Sequence, residues 1–244
     1  MKRNGFKPNI FTFTALIAAY GQSGKLDKAH NILREMQRNG IKLDLVTWNA
    51  LIDAYGKCGK SDEAHSILHE MQQSGLKPDV FSWTPLIAAY GKCGKSDEAR
   101  SILHEMQQNG IKPDRVTWIS LFEACGDARD LNTGRKYHSL MIESGIKPNI
   151  AVYNTLISMY GKCNSLEDAC RVFEDIQHAG LTPNQITWIS LFGACAEQAA
   201  LNTGRKYHSL MIERGIKPDI TVSLHDQYVG KCGSIEDACK YLGC

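Results

Sequence analysis

The apolar residues of this chain fall into short helical stripes separated by polar, glycine-containing breaks. In residues 45–79, Trp48, Leu51, Ile52 and Tyr55 occupy positions i, i+3, i+4 and i+7, one face of a helix. The segment GKCGK, residues 56–60, then breaks the pattern with two glycines, and a second stripe follows at Ala64, Ile67, Leu68 and Met71. Asp62 and Glu63 lead into that stripe, where carboxylates suit the positive end of a helix dipole. Ser165 with Asp168, and Ser234 with Asp237, have the spacing of a capping box. Gly75 supplies a stop, Leu76 an apolar anchor, and Pro78 a block to further helix. No segment shows the two-residue alternation of a half-buried strand.

This helix pair recurs. HSILHEMQQSGLKPD ends at Asp79 and its near-copy SILHEMQQNGIKPD at Asp114; LNTGRKYHSLMIESGIKPN ends at Asn149 and LNTGRKYHSLMIERGIKPD at Asp219. The same tail closes at Asn9, Asp44 and Asn184, so the spacing is 35 residues throughout. The chain thus reads as a single array. It has a leading fragment 1–9, six full repeats (10–44, 45–79, 80–114, 115–149, 150–184, 185–219) and a degenerate partial repeat, 220–244. One pair of short amphipathic helices cannot bury both of its stripes, so neighbouring pairs must stack. The expected fold is an all-α solenoid of helix-turn-helix repeats.

Composition narrows the function. The net charge over 244 residues is only +2, so any polyanion-binding role depends on where the charges sit. Nine cysteines without a secretory signal point to a reducing compartment and free thiols. There is no CxxC pair, and Cys58, Cys93, Cys163, Cys125 and Cys195 recur at repeat spacing, an arrangement poor for converging on one metal. No metal or other cofactor is expected. No apolar run reaches membrane-spanning length, and no Arg-rich leader precedes the first helix. GKCGKS at 56–61 and 91–96 looks like part of a phosphate-binding loop, but the first glycine of that motif falls on Ala54 and Ala89 and no strand precedes it. It is expected to be a helix–helix turn. HEM at 69–71 and 104–106 is not HExxH, so a zinc-peptidase reading fails.

Tetratricopeptide repeats have similar length, but their Leu-Gly pair is missing here. VTWNALIDAYGKCGKSDEAHSILHEMQQSGLKPD, residues 46–79, instead resembles the pentatricopeptide repeat family almost throughout, and the resemblance extends over roughly residues 5–240. It implies a right-handed superhelix that binds single-stranded RNA, one base per repeat. We number each repeat from 1 to 35, with Leu45 first and Asp79 last. Position 5 is Thr14, Asn49, Thr84, Ile119, Asn154 and Ile189; position 35 is Asp44, Asp79, Asp114, Asn149, Asn184 and Asp219. Position 13 is Gln22, Lys57, Lys92, Asp127, Lys162 and Glu197, so the two repeats with Ile at position 5 are those with an acid at position 13. This alternation resembles the mixed repeat classes (PLS-type) of organellar RNA editing factors. Repeats 1–3 look like the standard class, 4 and 6 like the long variant, and 5 and 7 like the short variant.

The resemblance implies that positions 5 and 35 read the edge of one base while position 2 packs on its face. An ionised Asp only accepts hydrogen bonds and suits a ring N–H, as in guanine or uracil, whereas Asn also donates. Thr at position 5 then implies a purine and Asn a pyrimidine. With the RNA 5′ end at the N-terminus, the expected site is 5′-GUGN(C/U)N-3′. It is read by Thr14/Asp44, Asn49/Asp79, Thr84/Asp114 and Asn154/Asn184. The pairs Ile119/Asn149 and Ile189/Asp219 are expected to discriminate weakly or not at all. The base-packing residues are Phe11, Val46, Phe81, Val116, Ala151 and Ile186, with stacking on an aromatic contributing ~1–3 kcal/mol. Lys57, Lys92 and Lys162 are expected to meet phosphates.

Rival readings accompany these. Asp or Asn after Pro also suits a turn or helix start, and the lysines also read as solvated charges. Trp48, Trp83, Trp118 and Trp188 read as core. Catalysis is not expected: the HxE…PCxxC zinc site of a cytidine deaminase is absent, which leaves the RNA-targeting half of an editing enzyme as one alternative. A protein-binding scaffold, with editing cofactors held by repeats 4 and 6, is another. The resemblance implies a mitochondrial or chloroplast setting, although no transit peptide is read in this chain. Residues 220–244 carry Leu224 at position 5 and polar His225, Asp226 and Gln227 in the apolar stripe, and are expected to form a distorted cap.

Overall fold

The computed structural model describes residues 9–214, and every regular element among them is a helix. The first helices of the repeats are α1 (Ile10–Gln22), α3 (Leu45–Lys57), α5 (Val80–Lys92), α7 (Arg115–Ala128), α9 (Ile150–Lys162) and α11 (Gln185–Glu197). Their partners are α2 (Leu26–Arg38), α4 (Ser61–Gln73), α6 (Ser96–Gln108), α8 (Leu131–Glu143), α10 (Leu166–His178) and α12 (Leu201–Glu213). Asp219, the Ser234/Asp237 pair and the partial repeat 220–244 lie outside the described residues.

The stripes bury as the periodicity requires, except that Tyr55 at the end of the α3 stripe is only half-buried. Trp48, Leu51 and Ile52 of α3 and Ala64, Ile67, Leu68 and Met71 of α4 are all buried. The four tryptophans are core residues, although their indole Nε1–H groups are buried without a hydrogen-bond partner. Burying ~200 Å² of ring at about 25 cal/mol per Å² contributes ~5 kcal/mol, which outweighs the ~1–3 kcal/mol of an orphaned donor. Gly75 takes φ 86° and lets the Leu76 N–H reach back to the Met71 carbonyl, closing α4. GKCGKS is the expected turn, between the end of α3 at Lys57 and the start of α4 at Ser61.

Two local expectations need correction. Gly56 does not break the helix; it lies within α3, where a Cβ would sit 3.1 Å from Ala89 Cβ and 3.2 Å from the Pro85 carbonyl oxygen. Its role is close approach, and only Gly59, at φ 71°, makes the turn. The same tight contact recurs where Gly21 meets Ala54, Gly91 meets Ala124 and Gly161 meets Ala194. Ser165 forms no capping box: its side chain caps no backbone N–H and instead donates to Asp168 Oδ2 at 2.6 Å. That carboxylate also pairs with Arg135 from the preceding repeat, which sequence spacing within α10 does not reveal.

The chain divides into two compact units, Met1–Ala124 and Cys125–Cys244, with the division inside α7. In the first unit α3 packs between α1 and α5, and α2, α4 and α6 pack on their own first helices. In the second unit α9 and α11 pack side by side, with α8 and α10 against α9 and α12 against α11.

Candidate nucleic-acid interface

Among the described residues, the base-reading and base-packing positions fall at the N-terminal ends of the first helices, whereas Lys57, Lys92 and Lys162 close the C-terminal ends of α3, α5 and α9. Position 2 points outward in every repeat: Phe11 is 77% exposed, Phe81 69%, Val46 64%, and Val116 and Ile186 58% each, with Ala151 also exposed. Large apolar side chains left in solvent at one register position mark a surface built for something other than its own core.

Position 35 is the N-cap of the next first helix. Asn9, Asp44, Asp79, Asn149 and Asn184 accept from the backbone N–H of Thr12, Thr47, Ser82, Val152 and Thr187, and Asp114 accepts from Thr117 N–H. The helix-start reading of these residues is therefore correct, but capping engages only Oδ1. Among the described residues, no hydrogen bond reaches Oδ2 of Asp44, Asp79 or Asp114.

Position 5 is tied to this cap through a third residue, the hydroxyl at position 3 of the following repeat. Thr14 Oγ1 lies 2.7 Å from Thr47 Oγ1, which lies 2.6 Å from Asp44 Oδ1. A carboxylate can only accept, so Thr47 donates to Asp44 and Thr14 in turn donates to Thr47. Thr84, Thr117 and Asp114 repeat the arrangement at 2.7 and 2.9 Å. Where position 5 is Asn, the same hydroxyl points the other way. Ser82 donates to Asn49 Oδ1 at 2.6 Å while Asn49 Nδ2 donates to Asp79 Oδ1 at 3.1 Å. Thr187 donates to Asn154 Oδ1 at 2.7 Å while Asn154 Nδ2 donates to Asn184 Oδ1 at 3.1 Å.

These bonds decide what each pair has left to offer. Thr14 and Thr84 have given away their protons, so with the open Oδ2 of Asp44 and Asp114 each pair offers two acceptors. Asn49 keeps one amide N–H beside the open Oδ2 of Asp79, a donor next to an acceptor. Asn154 keeps one N–H beside the amide of Asn184, so that pair offers donors. Sequence reasoning missed Thr47, Ser82, Thr117 and Thr187, yet a signal was present. Each follows its position-5 partner by 33 residues, and the two repeats with Ile119 and Ile189 are followed by Val152 and Val222 at that place. Ile119 is half-buried, Ile189 is 37% exposed, and Asn149 caps α9 without such a relay.

The lysines are unequal. Lys57 pairs with Asp53 at 2.6 Å and Lys162 with Asp127 at 2.7 Å, whereas Lys92 is exposed with no carboxylate partner among the described residues. Of these three lysines, Lys92 alone lacks a carboxylate partner among the described residues; the other two must leave a carboxylate to meet a phosphate. The cysteines among the described residues are free thiols spread along the units. Burial pushes the Cys125 thiol up to about 12, as befits a packing residue rather than a nucleophile.

Outward apolar residues and polar pairs at helix starts recur at one register of a 35-residue helical repeat. The chain belongs to the pentatricopeptide repeat family. The pentatricopeptide repeat domain model matches residues 1–58, 31–93, 66–128 and 101–163, and the PPR repeat family model matches 148–197. The chain is similar to a chloroplastic pentatricopeptide repeat-containing protein of Arabidopsis thaliana, 47% identical over 58 residues, which are 23% of this chain and 9% of that protein. The crystal structure of PPR10 from maize superposes with a TM-score of 0.76 at 28% identity, over 96% of this chain and 33% of that one. PPR10 in complex with an 18-nt psaJ RNA element superposes at 0.60 with 21% identity, over 95% and 38%.

Proposed function

We propose that the protein binds single-stranded RNA in a sequence-specific manner, one base to each of repeats 1, 2, 3 and 5, at a site 5′-GUGN(C/U)N-3′. The observation that carries this reading is the match between the groups each pair has left and the edges of particular bases. Two acceptors at Thr14/Asp44 and Thr84/Asp114 suit guanine, whose pairing edge carries the N1–H and N2–H donors. A donor beside an acceptor at Asn49/Asp79 suits uracil, with its N3–H next to a carbonyl. Donors at Asn154/Asn184 suit cytosine, whose N3 and O2 only accept; uracil fits less well. Ile119 and Ile189 can form no side-chain hydrogen bond, so the fourth and sixth places are degenerate. Phe11 and Phe81 stack on or between bases, the aliphatic position-2 residues do so more weakly, and Lys92 supports the backbone. The complex of PPR10 with RNA is the precedent in the family.

The array binds without chemistry of its own. Its likeness to a chloroplastic plant protein supports an organellar setting, in RNA processing or in targeting an editing site. Repeats 4 and 6, with Ile119 and Ile189 in place of a polar reader, are the places for a protein cofactor. The reading is tested by mobility-shift titration of RNAs that differ only at the fifth base. Tightest binding with C, then U, supports it, and equal binding of all four bases overturns it.

A further inference from the structure

The hydroxyl relay carries an inference beyond the two-residue pairs. We propose that Thr47, Ser82, Thr117 and Thr187 are specificity-determining positioning residues. Each fixes whether the position-5 side chain of the preceding repeat offers a base an acceptor or a donor. This rests on the base-reading function above. The physical ground is proton accounting. With Asp44 at 2.6 Å, the Thr47 hydroxyl has no proton left for Thr14, so Thr14 Oγ1 must donate inward and show the base a lone pair. Ser82, faced with the Asn49 carbonyl at 2.6 Å, fills that acceptor instead and turns the amide N–H towards the base. Without the hydroxyl, Thr14 regains a free rotor that can donate or accept, and Asn49 can flip its amide. Selectivity is lost although no base-contacting atom has changed. The replacement of the hydroxyl by valine after both Ile repeats fits this account, because a side chain with nothing to orient needs no relay.

The test is Thr47→Val, with Thr47→Ser as the conservative control, binding RNAs that carry G, A, C or U at the first place. Valine stands at the equivalent buried position 152, so the substitution is compatible with the fold. The unaltered protein should prefer G over A, and Thr47→Val should reduce that preference about tenfold. The preference for U at the second place should not move, and Thr47→Ser should restore G. A uniform drop in affinity with the G preference intact would assign Thr47 a packing role and overturn the relay. No first-base preference in the unaltered protein would instead overturn the base reading on which the relay rests.

A second cluster, on the second helices, stands on a different observation. His65 and His69 lie one turn apart on α4 and Glu105 on α6, with one ligand atom from each within 4.8 Å of the others. Tyr90 Oη donates to Asp62 Oδ1 at 3.2 Å, so it accepts from His65 Nδ1 at 3.3 Å, and the His65 lone pair is on Nε2. Gln72 Oε1, 3.2 Å from His69 Nδ1, fixes the same tautomer there. His65 Nε2 is buried with no hydrogen-bond partner, yet lies 3.6 Å from the Glu105 carboxylate, so a lone pair faces an anion. We infer that His65, His69 and Glu105 bind a divalent cation of the zinc class with water in a fourth position, tying repeat 2 to repeat 3. Two imidazoles whose other nitrogens are held by Tyr90 and Gln72, plus a carboxylate, form a suitable donor set. Ligands about 2 Å from a tetrahedral ion stand ~3.3 Å apart, so the exposed His69 ring, stacked on His65 at 4.5 Å, must turn together with its partner Gln72 to close the site.

Titration of the full chain with cobalt(II), read by visible absorption and followed by zinc competition, tests this. One equivalent should bind with tetrahedral bands, thiol alkylation should leave it unchanged, and His69→Gln or Glu105→Gln should weaken binding at least tenfold. Binding that survives both substitutions, or that alkylation abolishes, would place any metal on the cysteines and overturn the assignment.

Discussion

Replacing Asn49 with Thr should move the second base of the preferred RNA from U towards G. In the structure Asn49 accepts from Ser82 at 2.6 Å and donates to Asp79 at 3.1 Å, which leaves one amide N–H for a base. A threonine there has a single proton, which Ser82 draws inward once its own hydroxyl turns to Asp79 Oδ1, already 3.2 Å away. The pair then offers two acceptors, as Thr14/Asp44 does. Uracil would lose a hydrogen bond and set a carbonyl against a lone pair, at about 1–3 kcal/mol. That corresponds to roughly 5- to 150-fold in affinity, with guanine gaining what uracil loses. Fluorescence anisotropy with four RNAs that differ only at the second base, at one fixed salt concentration, measures it. If U remains preferred by the same factor, the edge-matching argument is wrong.

Other consequences can be measured independently. Gly161→Ala would set a Cβ 2.7 Å from Ala194 Cβ, so it should destabilise the protein by ~1–3 kcal/mol in denaturant unfolding without changing base preference at repeats 1–3. Ala199 sits at φ 50°, so Ala199→Gly should raise stability by about 1 kcal/mol in the same assay. Lys92→Ala should lower the slope of log affinity against log salt by ~0.7, while Lys57→Ala, which removes an already paired charge, should change it less. The Cys125 thiol titrates higher in the folded protein, at about 12, than in the unfolded chain. The folded state therefore holds the extra proton between the two values. Its stabilising contribution is complete below the unfolded pKa and lost as pH rises towards the folded one, so Cys125→Ala should flatten the alkaline fall in thermal midpoint.

The fold was legible because the repeat forces the same burial problem to be solved every 35 residues. Trp48, Leu51 and Ile52 had to be buried together with Ala64, Ile67, Leu68 and Met71, and all seven are. Less legible was whatever depends on a neighbour one repeat away. The capping-box spacing of Ser165 and Asp168 was accurate as spacing, but Arg135, 33 residues earlier, shares the carboxylate with the serine hydroxyl. Gly56 looked like a helix breaker because composition cannot separate a glycine chosen for φ from one chosen for a missing Cβ. Arg129, Asn164 and Ala199 take the left-handed turn that Gly24, Gly59 and Gly94 take in the first three repeats, which no local pattern announced. At the helix starts the sequence pairs positions 5 and 35, and these side chains are linked, but the hydroxyl joining them belongs to the next repeat and needed three dimensions to be seen.

Sequence-specific RNA binding is most directly tested by measuring affinity for a short single-stranded RNA containing GUGACA against the same RNA with its three leading bases replaced, at one stated salt concentration. The account predicts clear preference for GUGACA, set by Thr14/Asp44, Asn49/Asp79 and Thr84/Asp114. Equal affinity for the two RNAs would contradict it.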